Sequence, residues 1–143
     1  MGLMQYIYTS VLVEELTAQR AFETSAMSVK LCQQFGITGR VFANRQRALA
    51  IMEGPETHVA RYFEAVQNDP MAGTQILHLQ RPIKLREFTD YSVWLNLGRD
   101  FEFTEHVRHL TLETLALAWP KTLSSKVRII ASAYLDADML AAP

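Results

Sequence analysis

A single cysteine, Cys32, stands in a chain of 143 residues, so no internal disulfide can form and a reducing, cytoplasmic setting is the expectation. Neither sign of charge is in excess. The 14 Lys and Arg against 15 Asp and Glu leave a formal net charge of −1, which supplies no positive field for phosphate backbones or anionic lipid and argues against nucleic-acid and membrane partners. No apolar run approaches the ~20 residues that cross a bilayer, and the N-terminus has neither the basic start nor the long apolar stretch of a secretion signal. A glycine-rich phosphate loop, a Ser-His-Asp arrangement and the acylphosphatase signature of ferredoxin-like enzymes are all missing. The expectation is a protein that is not an enzyme.

What the chain does have is apolar material, 49% of its residues, enough for one domain with a real core. Met4–Ser10 alternates and is rich in aromatic and β-branched residues, which predicts a strand. Thr17 is a candidate N-cap, Phe22, Ala26, Val29 and Phe35 recur at near-helical spacing, and Gly36 is placed to stop a helix over about residues 18–35. Ile37–Ala43 and Ala48–Glu53 read as a hairpin joined by the polar Asn44–Arg47. Gly54-Pro55 opens a second helix whose apolar stripe is Val59, Tyr62, Phe63 and Val66, stopped at Asn68-Asp69-Pro70. Thr74–Leu79 and Tyr91–Leu97 supply two further strands. Beyond Gly98, a third helix is expected from a Thr104 cap through Val107, Leu110, Leu117 and Trp119, and a fourth over Lys126–Leu140.

The order βαββαββ with right-handed crossovers gives an α+β, ferredoxin-like sandwich, an antiparallel-rich sheet backed on one face by two helices. The two C-terminal helices are an addition to that plan. The expected organisation is a body over residues 1–98 and a helical extension over 99–143 packed on it.

Several residues bear on chemistry. His106 and His109, one turn apart on the expected helix, offer metal ligands with Glu105, but no clear third ligand accompanies the imidazoles, and no metal site is expected. Arg45, Arg47, Arg81, Lys84 and Arg86 make local basic patches in loops. Trp94 and Asn96 share one strand face by the period of two. Apolar Leu95, Leu97, Leu112, Leu115, Tyr134 and Leu135 offer material for core or for self-association.

Five runs in order, "YIYTS", "GITGRVF", "IMEGP", "VARYFEAVQND" and "FTDYSVWLNLG", resemble the BLUF family, the flavin-based blue-light sensors, over about residues 4–98. The resemblance implies a flavin lying between the two helices. It also implies a switch formed by a tyrosine on the first strand and a glutamine on the third, with an asparagine on the first helix holding the isoalloxazine ring. The tyrosine matches Tyr8, the asparagine position is Cys32, the glutamine position is Ala50, the tryptophan matches Trp94, and a neighbouring methionine position is Asn96. The family's Asp-x-Arg-His run is Asp69-Pro70-Met71-Ala72 here, so Asp69 remains and the two basic residues do not.

A switch needs a side chain that can both donate and accept, which a carboxamide does and an alanine does not. The expectation is a BLUF-like regulatory protein that has lost flavin photochemistry, carries no cofactor, and works through a protein partner or a second copy of itself. The alternatives are a photoreceptor that binds FAD in an atypical pocket, and a sensor of another small ligand.

Overall fold

A computed structural model describes residues 2–98 and 104–140. β1 (Leu3–Val11) alternates as its composition predicts, and turns Tyr6, Tyr8 and Ser10 to one side and Gln5, Ile7 and Thr9 to the other. α1 (Ala18–Gln34) begins where the Thr17 hydroxyl accepts from the Arg20 amide and buries Ala21, Ser25, Val29 and Cys32, spaced by one turn each. It ends at Gly36, whose φ of 68° few other residues adopt. β2 (Thr38–Ala43) and β3 (Arg47–Pro55) form the expected hairpin, and α2 (Glu56–Gln67) follows Pro55 directly and buries Val59 and Phe63. β4 (Thr74–Ile83), β5 (Tyr91–Leu95), β6 (Val107–His109), α3 (Leu112–Ala118), α4 (Ser125–Tyr134) and α5 (Ala137–Leu140) complete the described elements.

The sheet has six strands in the order β4-β1-β3-β2-β5-β6. β4, β1, β3 and β2 pair antiparallel in turn, whereas β2 with β5 and β5 with β6 are parallel. This is the ferredoxin-like α+β plan with two added strands, β5 and β6.

Each sheet face carries its own core. Tyr6, Tyr8, Ala50, Met52, Tyr91 and Val93 pack under α1 and α2 with Cys32, Val59 and Phe63. On the other face Ile7, Phe42, Leu49, Ile51 and Trp94 pack with Leu110, Ala118, Val127, Ala131 and Met139 of the C-terminal segment. Polar contacts reinforce that docking. Arg40 donates from Nε to the Ala118 carbonyl at 2.7 Å, and Arg81 from Nη2 to the Ser124 hydroxyl at 3.2 Å. His78 Nδ1 and the Tyr134 hydroxyl lie 3.0 Å apart.

The close approach of β2 to β3 depends on one glycine. Gly39 has φ of 148°, and a Cβ there would lie 1.9 Å from the Ile51 carbonyl oxygen.

Four expectations are corrected. The helix expected from Thr104 begins only at Leu112, because Val107–His109 pairs with β5 as β6, Val93 opposite Val107, and covers an edge that would otherwise be unpaired. Its cap is Thr111, in a reciprocal capping box with Thr114, not Thr104. The last helix is two, broken where the Asp136 carboxylate accepts from the Met139 amide and starts α5. β4 runs through Pro82 to Ile83, which an edge strand tolerates because one of its sides needs no donor, while β5 stops at Leu95. Among the described residues, no helix is long and apolar enough to cross a membrane.

Candidate functional site

A cavity of about 250 Å³ opens between α1, α2 and the sheet. Its floor is set by register: Tyr8 is the partner of Ala50, and Ala50 in turn is the partner of Val41. With Ala43 and Ala48 this leaves a shallow apolar base where longer side chains would fill the space. The Tyr8 hydroxyl donates to Met52 Sδ at 3.7 Å, and its ring lies 4.7 Å from that of Phe63. Burial pushes its hydroxyl well above the ordinary tyrosine range.

The most polar part of the wall is a set of three hydroxyls. Ser28 Oγ on α1 lies 2.6 Å from the hydroxyl of Tyr62 on α2 and 2.6 Å from that of Tyr91 on β5. Cys32, one turn further along α1, sits behind this set, fully buried and outside the cavity lining. Burial pushes its thiol up to about 11, against the pull of hydrogen bonds from Tyr62, Tyr91 and Ser28. The thiol is therefore protonated near neutral pH and poorly suited to act as a nucleophile.

Two charged residues, Arg20 and Asp69, line the cavity from exposed positions on α1 and just after α2. Asp69 Oδ1 accepts from the Met71 amide at 2.9 Å. No carboxamide lines the cavity among the described residues.

Of the six positions carried over from the resemblance, Tyr8, Ala50 and Asp69 line this cavity and Cys32 stands behind its wall. Trp94 and Asn96 are on the opposite face of the sheet. Trp94 packs in the C-terminal core and donates from Nε1 to Ser92 Oγ at 2.9 Å, and Asn96 donates from Nδ2 to the Met139 carbonyl at 2.9 Å. Ser10, Ser28, Tyr62 and Tyr91 were not foreseen as site residues. The signal for Ser28 was its place one turn before Cys32 on the same buried face of α1.

Four of the five basic candidates have structural partners, and the fifth, Lys84, is exposed. Arg45 donates to the Leu97 carbonyl, Arg47 pairs with Asp136, and Arg81 binds Gln5, Glu87 and Ser124. Arg86 donates to the Thr38 hydroxyl and the Glu53 carbonyl. His109 belongs to β6 and His106 to the turn before it, so the two do not share a helix face. Among the described residues no three His, Cys, Asp or Glu converge as a metal-ligand group.

By architecture the chain is a ferredoxin-like α+β domain with a cavity held between its paired helices and its sheet. The family described as sensors of blue-light using FAD, BLUF, matches residues 3–94, and the chain belongs to that family. Its domain is a sensory module of the blue-light receptor type.

Solved structures agree on the fold. Klebsiella pneumoniae BlrP1 with FMN and cyclic diGMP is 20% identical with a TM-score of 0.70, covering 96% of this chain and 35% of that one. The BLUF protein BlrB in its dark state is 22% identical with a TM-score of 0.59, covering 96% of this chain and 91% of that one. A bacterial light-regulated adenylyl cyclase is 16% identical with a TM-score of 0.63, covering 92% and 34%. The chain thus spans about a third of the length of BlrP1 and of the cyclase. No curated protein matches the chain.

Proposed function

We propose that this chain is a BLUF-type sensory module that does not run flavin photochemistry, holds no flavin, and signals by contact with a protein partner or a second copy of itself. The observation that carries this reading is the pairing of Tyr8 with Ala50. At the position where the family's switch has a glutamine, the tyrosine meets a methyl group, and its hydroxyl turns to a methionine sulfur instead. A methyl group neither donates nor accepts, so no hydrogen-bond rearrangement can be stored there.

The same substitution counts against retention of the ring. The polar edge of a flavin, buried without its amide partners, loses about 1–3 kcal/mol for each group left unpaired. Two missing amides, at Ala50 and Cys32, amount to about one to four orders of magnitude in affinity. The run Pro70-Met71-Ala72 removes two basic side chains from the site as well.

Output through contact is supported by the far face of the sheet, where the C-terminal segment docks and leaves Leu112, Leu117 and Ile129 exposed by about two thirds or more. Residues 1–98 then act as the sensory body and 99–143 as the extension that meets the partner, in a cytoplasmic setting and with no catalytic step.

The deciding experiment is the absorption spectrum of the purified protein, alone and after addition of FAD. No flavin bands and no change under blue light are expected. A yellow protein whose bands shift to the red under blue light overturns the proposal.

A further inference from the structure

We infer that the cavity beneath α1 and α2 takes a compact, neutral, largely apolar ring compound bearing a carbonyl-type acceptor. This rests on the reading that flavin no longer occupies the site, and goes beyond it by naming the class of ligand.

Size comes first. The space is about 250 Å³, just below the ~300–1,000 Å³ typical of pockets for drug-sized molecules, so it suits a two- or three-ring compound without a long tail. The walls come from Leu16, Val41, Val66, Val93 and Leu95 as well as the three alanines of the floor. Such a surface is expected to shed water readily to an apolar ring.

Charge comes second. The cavity's two charged residues, Arg20 and Asp69, are solvent-exposed. A charged group drawn inside would be desolvated without a buried counter-charge, so the enclosed part of the ligand must be neutral.

The polar atoms set its chemistry. Ser10 lines the cavity and is 6% exposed, and its hydroxyl is open to the cavity rather than tied to another group of the described residues. Water in the cavity satisfies such a hydroxyl, and a ligand that displaces the water must offer an equivalent hydrogen bond. The Ser28, Tyr62 and Tyr91 hydroxyls carry three protons, and the two contacts among them use two. The third is directed at the Cys32 sulfur, a weak acceptor. A carbonyl oxygen is a better acceptor for either donor.

The test is isothermal titration and thermal shift on the full chain with three probes: 2-acetylnaphthalene, which is neutral and carries a carbonyl; 2-naphthoate, the same ring with a charge; and FAD. The ketone is expected to bind saturably and raise the melting temperature, with the carboxylate at least about tenfold weaker. Ser10→Ala, which removes a hydroxyl open to the cavity, is expected to leave the ligand-free protein at least as stable while weakening the ketone by about threefold or more. Absence of ketone binding, equal binding of the carboxylate, or unchanged affinity in Ser10→Ala each overturns the inference. FAD binding with a blue-light shift instead overturns the reading on which it rests.

Discussion

Tyr8 and Ala50 are direct partners across the β1–β3 ladder, a buried hydroxyl beside a buried methyl on the face that α1 and α2 cover. Each residue taken alone is ordinary for a strand. Together they set the tyrosine beside a side chain with no hydrogen-bonding capacity.

Restoring that capacity separates two positions with different surroundings. Ala50→Gln extends into open cavity and is expected to change stability by less than about 1 kcal/mol. Cys32→Asn inserts a larger polar group at a fully buried site and is expected to cost about 1–3 kcal/mol. The double variant should bind FAD at least about tenfold more tightly than the wild type. Urea unfolding and flavin titration measure both effects, and no gain in affinity would mean that the two positions do not govern flavin binding.

Gly39→Ala is expected to be among the most damaging single substitutions. Its Cβ would sit 1.9 Å from the Ile51 carbonyl oxygen, in a backbone conformation with φ of 148° that alanine rarely adopts. The central β2–β3 pair must separate, at a cost of about 3 kcal/mol or more. Little folded protein should be recovered, and chemical denaturation of what is recovered gives the magnitude.

Arg40 is 8% exposed and joins the sheet to the C-terminal segment. Its guanidinium donates to the carbonyls of Ala118, Gly39 and Asp90, pairs with the Asp90 carboxylate at 2.9 Å, and lies 5.1 Å from the Phe88 ring centre. Arg40→Ala leaves those acceptors unmatched and should cost about 2–4 kcal/mol. Limited proteolysis should then cut first beyond residue 104, while a cut inside β1 to β5 would show that Arg40 does not hold the segment down.

His78 gives a pH dependence. Burial lowers its pKa, and its ring bridges the Thr9 hydroxyl at 2.8 Å and the Tyr134 hydroxyl at 3.0 Å. The folded state binds this proton less readily than the unfolded chain does. Its contribution is therefore fully present above the unfolded value of about 6.5 and is lost as pH falls from there toward the lower folded value. Melting temperature should drop more between pH 7.5 and about pH 5.5 in the wild type than in His78→Gln; equal drops would assign the slope to other groups.

Much of the fold was legible because its signals are local. Thr17 and Gly36 bracket α1, and Gly54-Pro55 marks the passage from β3 to α2. β6 was not, because Val107 and Leu110, three residues apart, suit a helix as well as a strand, and the choice was made by the unpaired edge of β5, which is distant in sequence from the helical signal. For the site, the "IMEGP" register located Ala50, and through it the floor of the cavity. Period two placed Trp94 and Asn96 on one face but could not say which, and the sheet sets both against the C-terminal segment. The Ser28, Tyr62 and Tyr91 hydroxyls are 34 and 63 residues apart along the chain and meet only when α1 settles on the sheet.

The two-sided sheet makes β3 a shared boundary. Leu49 and Ile51 belong to the core beneath the C-terminal segment, while Ala50 between them faces the cavity. Substitution at any of these residues alters one compartment. A single inserted residue would exchange them, turning leucine and isoleucine into the cavity and alanine toward the C-terminal segment. A change of length in the strand therefore disturbs both cores where a change of residue disturbs one, and a ligand that shifted its backbone would be felt on both sides at once.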